Sequence, residues 1–411
     1  MEKINIVLCG CGFRGENLLS TIALNPDYNI TAVCDLYLDK AQRVQKVLQE
    51  KNNINVKVYT DHIKMFEEVK PDAVIVATSW EEHVKVAIDG MERGIAAALE
   101  VGTAYNEQEC WDLVNVYERT KTPVMFMENC CFGKDELLAT SLVRNGVFGK
   151  VAYCHGAYGH DLRNEVAYGN VNRHYRLRNY INRNCDNYPT HELGPIAKIF
   201  NINRGNRMLS LVSRSSMALG LKEYVNGKED LKELHGVEFK QGDIVQTLIT
   251  CENGEMISLK LDTTLPRFYS REFTVRGTKG LYNQEGNMVL EDGEFEEIWT
   301  PYKSYQKFLN NAENYYEKYL PDFWINIPEY IRKSGHGGMD YYEFAVFADC
   351  LKNNKEIPID VYDGVSYMAI SYLTEKSIAQ NGAIVQIPDF TKGKYKERNA
   401  QDVVELPKVN K

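Results

Sequence analysis

A glycine pattern set between a strand and a helix constrains this fold more than any other feature. Lys3 to Cys9 (KINIVLC) is a short apolar run of strand length. Gly10-Cys11-Gly12-Phe13-Arg14-Gly15 follows at once, and Leu18, Leu19, Ile22 and Ala23 then recur at helical spacing. In this G-x-G-x-x-G order the first glycine allows the tight turn and the second lets a pyrophosphate approach the backbone. The third lets helix and strand pack closely. The helix N-terminus offers unpaired N–H donors to the phosphates. Ile30 to Cys34 forms a second strand ending in Asp35, 20 residues after Gly15. That carboxylate would accept ribose hydroxyls and repel a 2′-phosphate, so the expected cofactor is NAD rather than NADP.

The alternation continues through a strand at Asp72 to Ala77, a helix at Glu82 to Gly94, a strand at Ala96 to Glu100, a helix at Glu107 to Thr120 and a sixth strand at Pro123 to Met127. This rhythm predicts a Rossmann-type doubly wound parallel sheet over residues 1–127. Ligands bind beyond the carboxyl ends of such strands. The cofactor-binding candidates are therefore Gly10, Gly12, Phe13, Arg14, Gly15, Asp35, Thr78, Trp80, His83, Glu100, Val101 and Asn129. Trp80 and His83 could line the nicotinamide pocket; His83 could equally face solvent on its helix.

From residue 128 to 411 the rhythm changes. Strand-like runs occur at Gly149 to Tyr158, Met208 to Ser216, Asp243 to Cys251, Met256 to Thr264, Glu272 to Gly277 and Leu281 to Leu290. Asn253-Gly254 is a two-residue hairpin signal. The expected helices run from about His191 to Phe200, Met339 to Asn353 and Asp363 to Asn381. This predicts an α+β domain with an open, largely antiparallel sheet. The aromatic segment Glu313 to Ser334 has no clear period, and the tail after Pro388 is expected to wrap over the surface.

At the head of one expected helix stands Asn187-Tyr188-Pro189-Thr190-His191-Glu192-Leu193-Gly194-Pro195. Tyr188 and His191 are proton-carrying side chains at i, i+3, on one face if the first turn has begun. Taken alone, His191 reads more readily as a loop histidine that caps a helix than as a catalytic group. Composition narrows the choice. A net charge of −9 over 411 residues excludes the basic face that nucleic acid requires. No apolar run is long enough to span a membrane, and no signal segment opens the chain, so a cytoplasmic location is expected. The 10 cysteines contain no Cys-x-x-Cys pair. His155, His160, His174 and His191 lack zinc-ligand spacing, so no metal is expected. Tyrosines crowd the stretch from Tyr153 to Tyr188, which suits a sugar-binding surface and also ordinary half-buried sheet.

A nucleotide-binding domain followed by an open sheet resembles the Gfo/Idh/MocA oxidoreductases. Ordered motifs bring the resemblance closer to glycoside hydrolase family 109, the NAD-dependent α-N-acetylgalactosaminidases. They are Glu100-Val101, Glu128-Asn129, the run Gly156 to Arg163, Tyr188 to Pro195, Asn201 to Gly205, Pro266 to Arg271, Gly277 to Gly280, His336 to Asp340, Val361 to Asp363 and Ile387 to Thr391. Many dehydrogenases of the superfamily carry Glu-Lys-Pro where this chain has Glu100-Val101-Gly102. Val101 cannot take a hydroxyl proton, which favours the hydrolase branch.

The resemblance implies redox-neutral chemistry with a tightly held, recycled NAD. Oxidation at sugar carbon 3 acidifies the carbon 2 proton, the aglycone is eliminated, water adds, and the ketone is reduced again. It implies His191, Tyr188, Tyr269 and Glu128 as catalytic residues. Tyr158, His160, Arg163, Arg176, Glu192 and Arg271 are implied in substrate binding. No glycosidase carboxylate pair is needed. The chain departs from the hydrolases at Glu192, where they have glycine, and at Phe132, where they have tyrosine. Both changes bear on which sugar is bound. The expected partner is a small glycoside, and the protein is expected to be a homo-oligomer, dimer or tetramer. The rival readings are an NAD-dependent sugar dehydrogenase and, more remotely, a non-catalytic NAD or sugar sensor.

Overall fold

The computed structural model describes residues 2–294 and 304–409. It divides into two compact units, Met1–Phe132 with Ile327–Ala369, and Gly133–Asn326 with Ile370–Lys411. The sequence reading cuts the chain once, at 127/128, whereas these units interleave. Residues 327–369 fold back onto the first unit through backbone and packing contacts: Phe126 N–H donates to the Ile359 carbonyl at 2.9 Å and Ala104 N–H to that of Met368 at 3.2 Å. The Tyr28 hydroxyl bonds the Phe344 carbonyl at 2.7 Å, with the two rings edge to face. The helix holding Phe344, Met339–Asn353, begins where sequence periodicity places it.

The first unit holds six parallel strands, β1 (Ile4–Cys9), β2 (Tyr28–Cys34), β3 (Lys57–Tyr59), β4 (Ala73–Val76), β5 (Ala96–Glu100) and β6 (Val124–Met127), ordered β3-β2-β1-β4-β5-β6. Helices on the connections cover the sheet, as the apolar runs of β4 and β5 require, since every residue of both strands is buried. Burying each of Val74, Ile75, Val76 and Leu99 contributes about 1.5–3 kcal/mol. β3, at three residues with no fully buried position, carries too short a pattern to be placed from sequence.

The second unit holds eight strands: β7 (Val151–Gly159), β8 (Met208–Ser215), β9 (Ile244–Cys251), β10 (Met256–Asp262), β11 (Thr274–Gly277), β12 (Gly280–Asn283), β13 (Met288–Glu291) and β14 (Val385–Gln386). Their order is β13-β12-β11-β7-β10-β9-β8-β14; β7 and β10 are parallel and every other pair is antiparallel. The turn at Asn253-Gly254 joins β9 to β10 as expected, with Gly254 at φ +95°. The run Leu281 to Leu290, read as one strand, is two: Gly280 pairs with Glu291 across a turn at which Asn287 takes φ +46°. Along β9, Val245, Thr247, Ile249 and Cys251 point inward and alternate with uncovered residues, so one face of this sheet is packed and the other open. The helix Thr190–Ile199 lies on the packed face against β7. Its approach depends on Gly156, where a Cβ would come within 2.7 Å of the Glu192 Cβ.

Candidate active site

The three glycines of the β1 loop separate by role. A Cβ at Gly10, held at φ +99°, would meet the Ala77 carbonyl oxygen at 2.2 Å, and one at Gly15 would meet the Gly10 oxygen at 2.0 Å. At Gly12 there is nothing within 4 Å. The outer two glycines are thus required by the protein's own packing, and the middle one leaves open space that fits an approaching pyrophosphate. Gly12 also caps the helix Phe13–Ile22 without a side-chain hydrogen bond, so no side chain blocks its N-terminus. Just past β2, Asp35 accepts the Cys11 N–H at 2.7 Å and the Tyr37 N–H at 2.8 Å, which fixes its carboxylate beside the loop. These residues fit an NAD-type dinucleotide. Phe13 is 81% exposed.

His83 is buried, and the solvent-facing alternative falls. Its Nδ1 lies 3.1 Å from the Ser79 carbonyl and 3.0 Å from Thr78 Oγ1. Burial pushes the ring's pKa down to about 4, leaving it neutral near pH 7. Gly102 makes room for it: a Cβ there would lie 3.0 Å from the His83 ring and 3.3 Å from that of Trp80. Val101 and Glu100 are buried at the end of β5.

Arg14 and Glu100 do not stand free for a ligand. Arg14 binds Glu100 at 2.8 Å and Asp340 at 2.6 Å; His336 Nδ1 lies 3.0 Å from Asp340, and Asn129 Nδ2 donates to Asp340 at 2.7 Å. Burial would raise the Asp340 carboxyl, but Arg14 and His336 more than reverse this and hold it well below the usual carboxylate range. Glu343, one turn on, is buried with neither carboxyl oxygen hydrogen-bonded. Burial, and the charges of Asp340 and Glu100, push its pKa well up, so it stays neutral. Glu128 is buried and accepts the Cys130 N–H at 3.1 Å.

In the second unit, β7 and the head of helix Thr190–Ile199 bring four predicted residues into one aromatic cluster. The Tyr188 ring lies 4.9 Å from that of His191, edge to face, and 4.4 Å from that of Tyr158; His191 and Tyr158 are 5.7 Å apart. The i, i+3 pair therefore shares one face, as its spacing requires. Arg176 lies over the Tyr188 ring at 4.9 Å and pairs with Glu165 at 3.2 Å. The Tyr158 hydroxyl lies 3.3 Å from His160 Nδ1, and the His160 ring meets that of Tyr269 at 5.2 Å. Burial pushes the Tyr158 hydroxyl's pKa up although Arg176 opposes it, so Tyr158 remains a hydrogen-bond donor. Burial and Arg176 lower the pKa of His160. Glu192 is buried on the same helix, near enough for its charge to act on Tyr158.

A polar layer holds this helix start from behind. The Asp186 N–H donates to Thr374 Oγ1 at 2.9 Å, Asp186 Oδ1 accepts the Tyr188 N–H at 3.4 Å, and Asn187 Nδ2 donates to Gln241 at 3.0 Å. Two predicted residues are engaged elsewhere. Arg163 is bound in a fork to Asp161 at 2.8 and 2.6 Å and lies over the Tyr224 ring, while Arg271 is paired with Glu136 at 2.6 Å. Sequence reasoning gave no role to Asp340, His336, Glu165, Glu136 or Asp186. A signal existed for His336 and Asp340, which end the quoted run at i, i+4. Glu165 and Glu136 meet their arginines only through the fold.

Residues 132–397 match the glycosyl hydrolase 109 C-terminal domain, and residues 4–127 match the NAD-binding Rossmann fold of the oxidoreductase family. The chain is 34% identical over 413 residues to an alpha-N-acetylgalactosaminidase of Tannerella forsythia, covering 95% of this chain and 86% of that protein. It is 35% identical to a glycosyl hydrolase family 109 protein of Akkermansia muciniphila, covering 96% and 83%. Among solved structures, an NAD binding oxidoreductase from Klebsiella pneumoniae superposes with a TM-score of 0.70 at 14% identity, covering 94% of this chain and 99% of that one. Scyllo-inositol dehydrogenase from Lactobacillus casei with bound NAD(H) and scyllo-inositol gives 0.64 at 14% identity, with the same coverage. These two likenesses bear on the fold. No helix among the described residues is long and apolar enough to cross a membrane.

Proposed function

The chain belongs to glycosyl hydrolase family 109, and we propose that it is a redox-neutral, NAD-dependent glycosidase acting on an N-acetylgalactosaminide or a related hexoside. The observation that carries this reading is the buried pair of Tyr188 and His191, rings 4.9 Å apart, backed by Tyr158 and Arg176.

Gly10, Gly12, Gly15 and Asp35 would hold the dinucleotide. Bound NAD supplies reversible oxidation at sugar carbon 3, and its tight retention lets one molecule serve many turnovers. His191 and Tyr188 handle the protons of the carbon 3 hydroxyl and of carbon 2. Arg176 over the Tyr188 ring favours negative charge developing on that side chain. Tyr158 donates a hydrogen bond to the sugar. Tyr269, 48% exposed, would bind the sugar or assist the leaving group. Glu128 holds the ribose or a substrate hydroxyl. Glu192 sets which sugar is accepted. Proton removal at carbon 2 rather than anomeric configuration governs the slow step, so both anomers can react. The protein would act in the cytoplasm as a homo-oligomer; the exposed Leu248 and Met256 on the open sheet face support the second part of that reading.

The test is turnover of an aryl N-acetyl-α-galactosaminide without added NAD. Steady release of the aryl group with no net NADH is expected. Product formed only in step with NADH would instead make the protein a sugar dehydrogenase, and no turnover with retained NAD binding would favour a sensor.

A further inference from the structure

Of the two predicted catalytic tyrosines, Tyr188 is buried, whereas Tyr269 is 48% exposed and its own packing does not fix it. What fixes it lies behind. Ser270 is zipped to the end of β7, exchanging N–H···O bonds with Gly159 at 2.9 and 3.1 Å, and the Arg271 carbonyl accepts the Ala157 N–H at 2.6 Å. The Arg271 side chain then turns in two directions. Nε and Nη2 grip Glu136 Oε1 at 2.7 and 2.6 Å, and Nη1 donates to the Tyr269 hydroxyl at 3.4 Å. Glu136 is 1% exposed, sits on the helix Lys134–Arg144, and keeps Oε2 without a hydrogen-bond partner. Gln284 reaches the same carboxylate at 3.5 Å and Asp135 at 3.0 Å. From Tyr269 the contacts run on to His160 and through it to the Tyr158 hydroxyl.

We infer that Glu136 is a positioning residue of this site: through the Arg271 guanidinium it fixes the orientation of the Tyr269 hydroxyl. A buried carboxylate facing one arginine would serve as a structural pair in any protein, and removing one partner would then destabilise without regard to Tyr269. Two features favour the positioning role. The fork leaves one guanidinium nitrogen aimed at the tyrosine, and the backbone of the same arginine is tied to the strand that carries Tyr158. Anchored at both ends, Arg271 can hold a hydroxyl that the loop alone would leave mobile.

The inference rests on the glycosidase reading for its kinetic test and not for its spectroscopic one. In the intact protein, Glu136→Gln removes the charge and keeps the shape. With the aryl glycoside, E136Q is expected to lower kcat about 10-fold with little change in KM, and Tyr269→Phe to lower it as much or more. The double variant should be no slower than Y269F alone, because the tyrosine is the only route by which Glu136 acts. Multiplying losses would overturn the assignment. Independently, 3-fluorotyrosine placed at position 269 should give one sharp 19F line that shifts or broadens in E136Q. An unmoved line in a folded variant also overturns the assignment, whatever reaction the protein performs. Glu136→Asp, which keeps the charge, should restore part of both signals.

Discussion

Around the glycine loop, Arg14, Glu100, Asp340, Asn129 and His336 spend their hydrogen bonds on one another. Around Tyr158 in the other unit, the pairs Arg176–Glu165 and Arg271–Glu136 border a cluster of rings. In the first case charge builds a scaffold around a loop that presents backbone N–H groups and an absent Cβ. In the second the backbone is the scaffold and side chains are presented. Each unit therefore tolerates a different kind of change. A site made of backbone is lost by adding an atom, and a site made of side chains is lost by removing one.

Substitutions at the glycines put that contrast to its most severe test. Gly10→Ala drives a Cβ into the Ala77 carbonyl at 2.2 Å from a φ of +99° and should leave little folded protein, read as loss of the cooperative melting transition. Gly12→Ala meets nothing within 4 Å, so its Tm should match the parent while NAD affinity falls roughly 10-fold or more by calorimetry. If G12A kept full affinity, the open space would not be the pyrophosphate's. In the ring cluster the smaller but still large effect is His191→Ala. Turnover of the aryl glycoside should fall about 100-fold or more with the fold intact. A rate within a few-fold of the parent would remove His191 from proton handling and leave Tyr188 to be tested in its place.

The same contrast explains what could be read in advance. Gly10 to Gly15, and Asp35 after β2, are local: chain order places them, so periodicity and spacing were sufficient. Tyr188 and His191 were legible as a pair because one helical turn joins them. Their neighbours were not derivable from spacing. Arg176 reaches Tyr188 from another helix, and Arg271 finds Glu136 across 135 residues of chain. Arg14 shows the reverse failure. Its place in the glycine loop makes it a cofactor-binding candidate, and nothing in the spacing shows that Asp340, 326 residues on, holds its guanidinium. β3 and β14 escaped because two or three residues carry no period.

The subtlest effect concerns the layer behind the rings, where a buried carboxyl stands just ahead of the helix Thr190–Ile199. Asp186 is fully buried, caps the Tyr188 N–H through Oδ1 and leaves Oδ2 without a partner. Burial pushes its carboxyl up to about 7 although the Tyr188 N–H works the other way. The unfolded carboxyl titrates near about 3.9, so between these values the folded state binds more protons than the unfolded one. The stabilising effect of that proton is fully present below the unfolded pKa and is lost as pH rises through about 7. Asp186→Asn keeps an oxygen for Tyr188 and removes the titration. Its Tm should therefore fall less than the parent's between roughly pH 5 and roughly pH 8, by a few degrees. Parallel losses in the two proteins would mean that Asp186 does not titrate in this range.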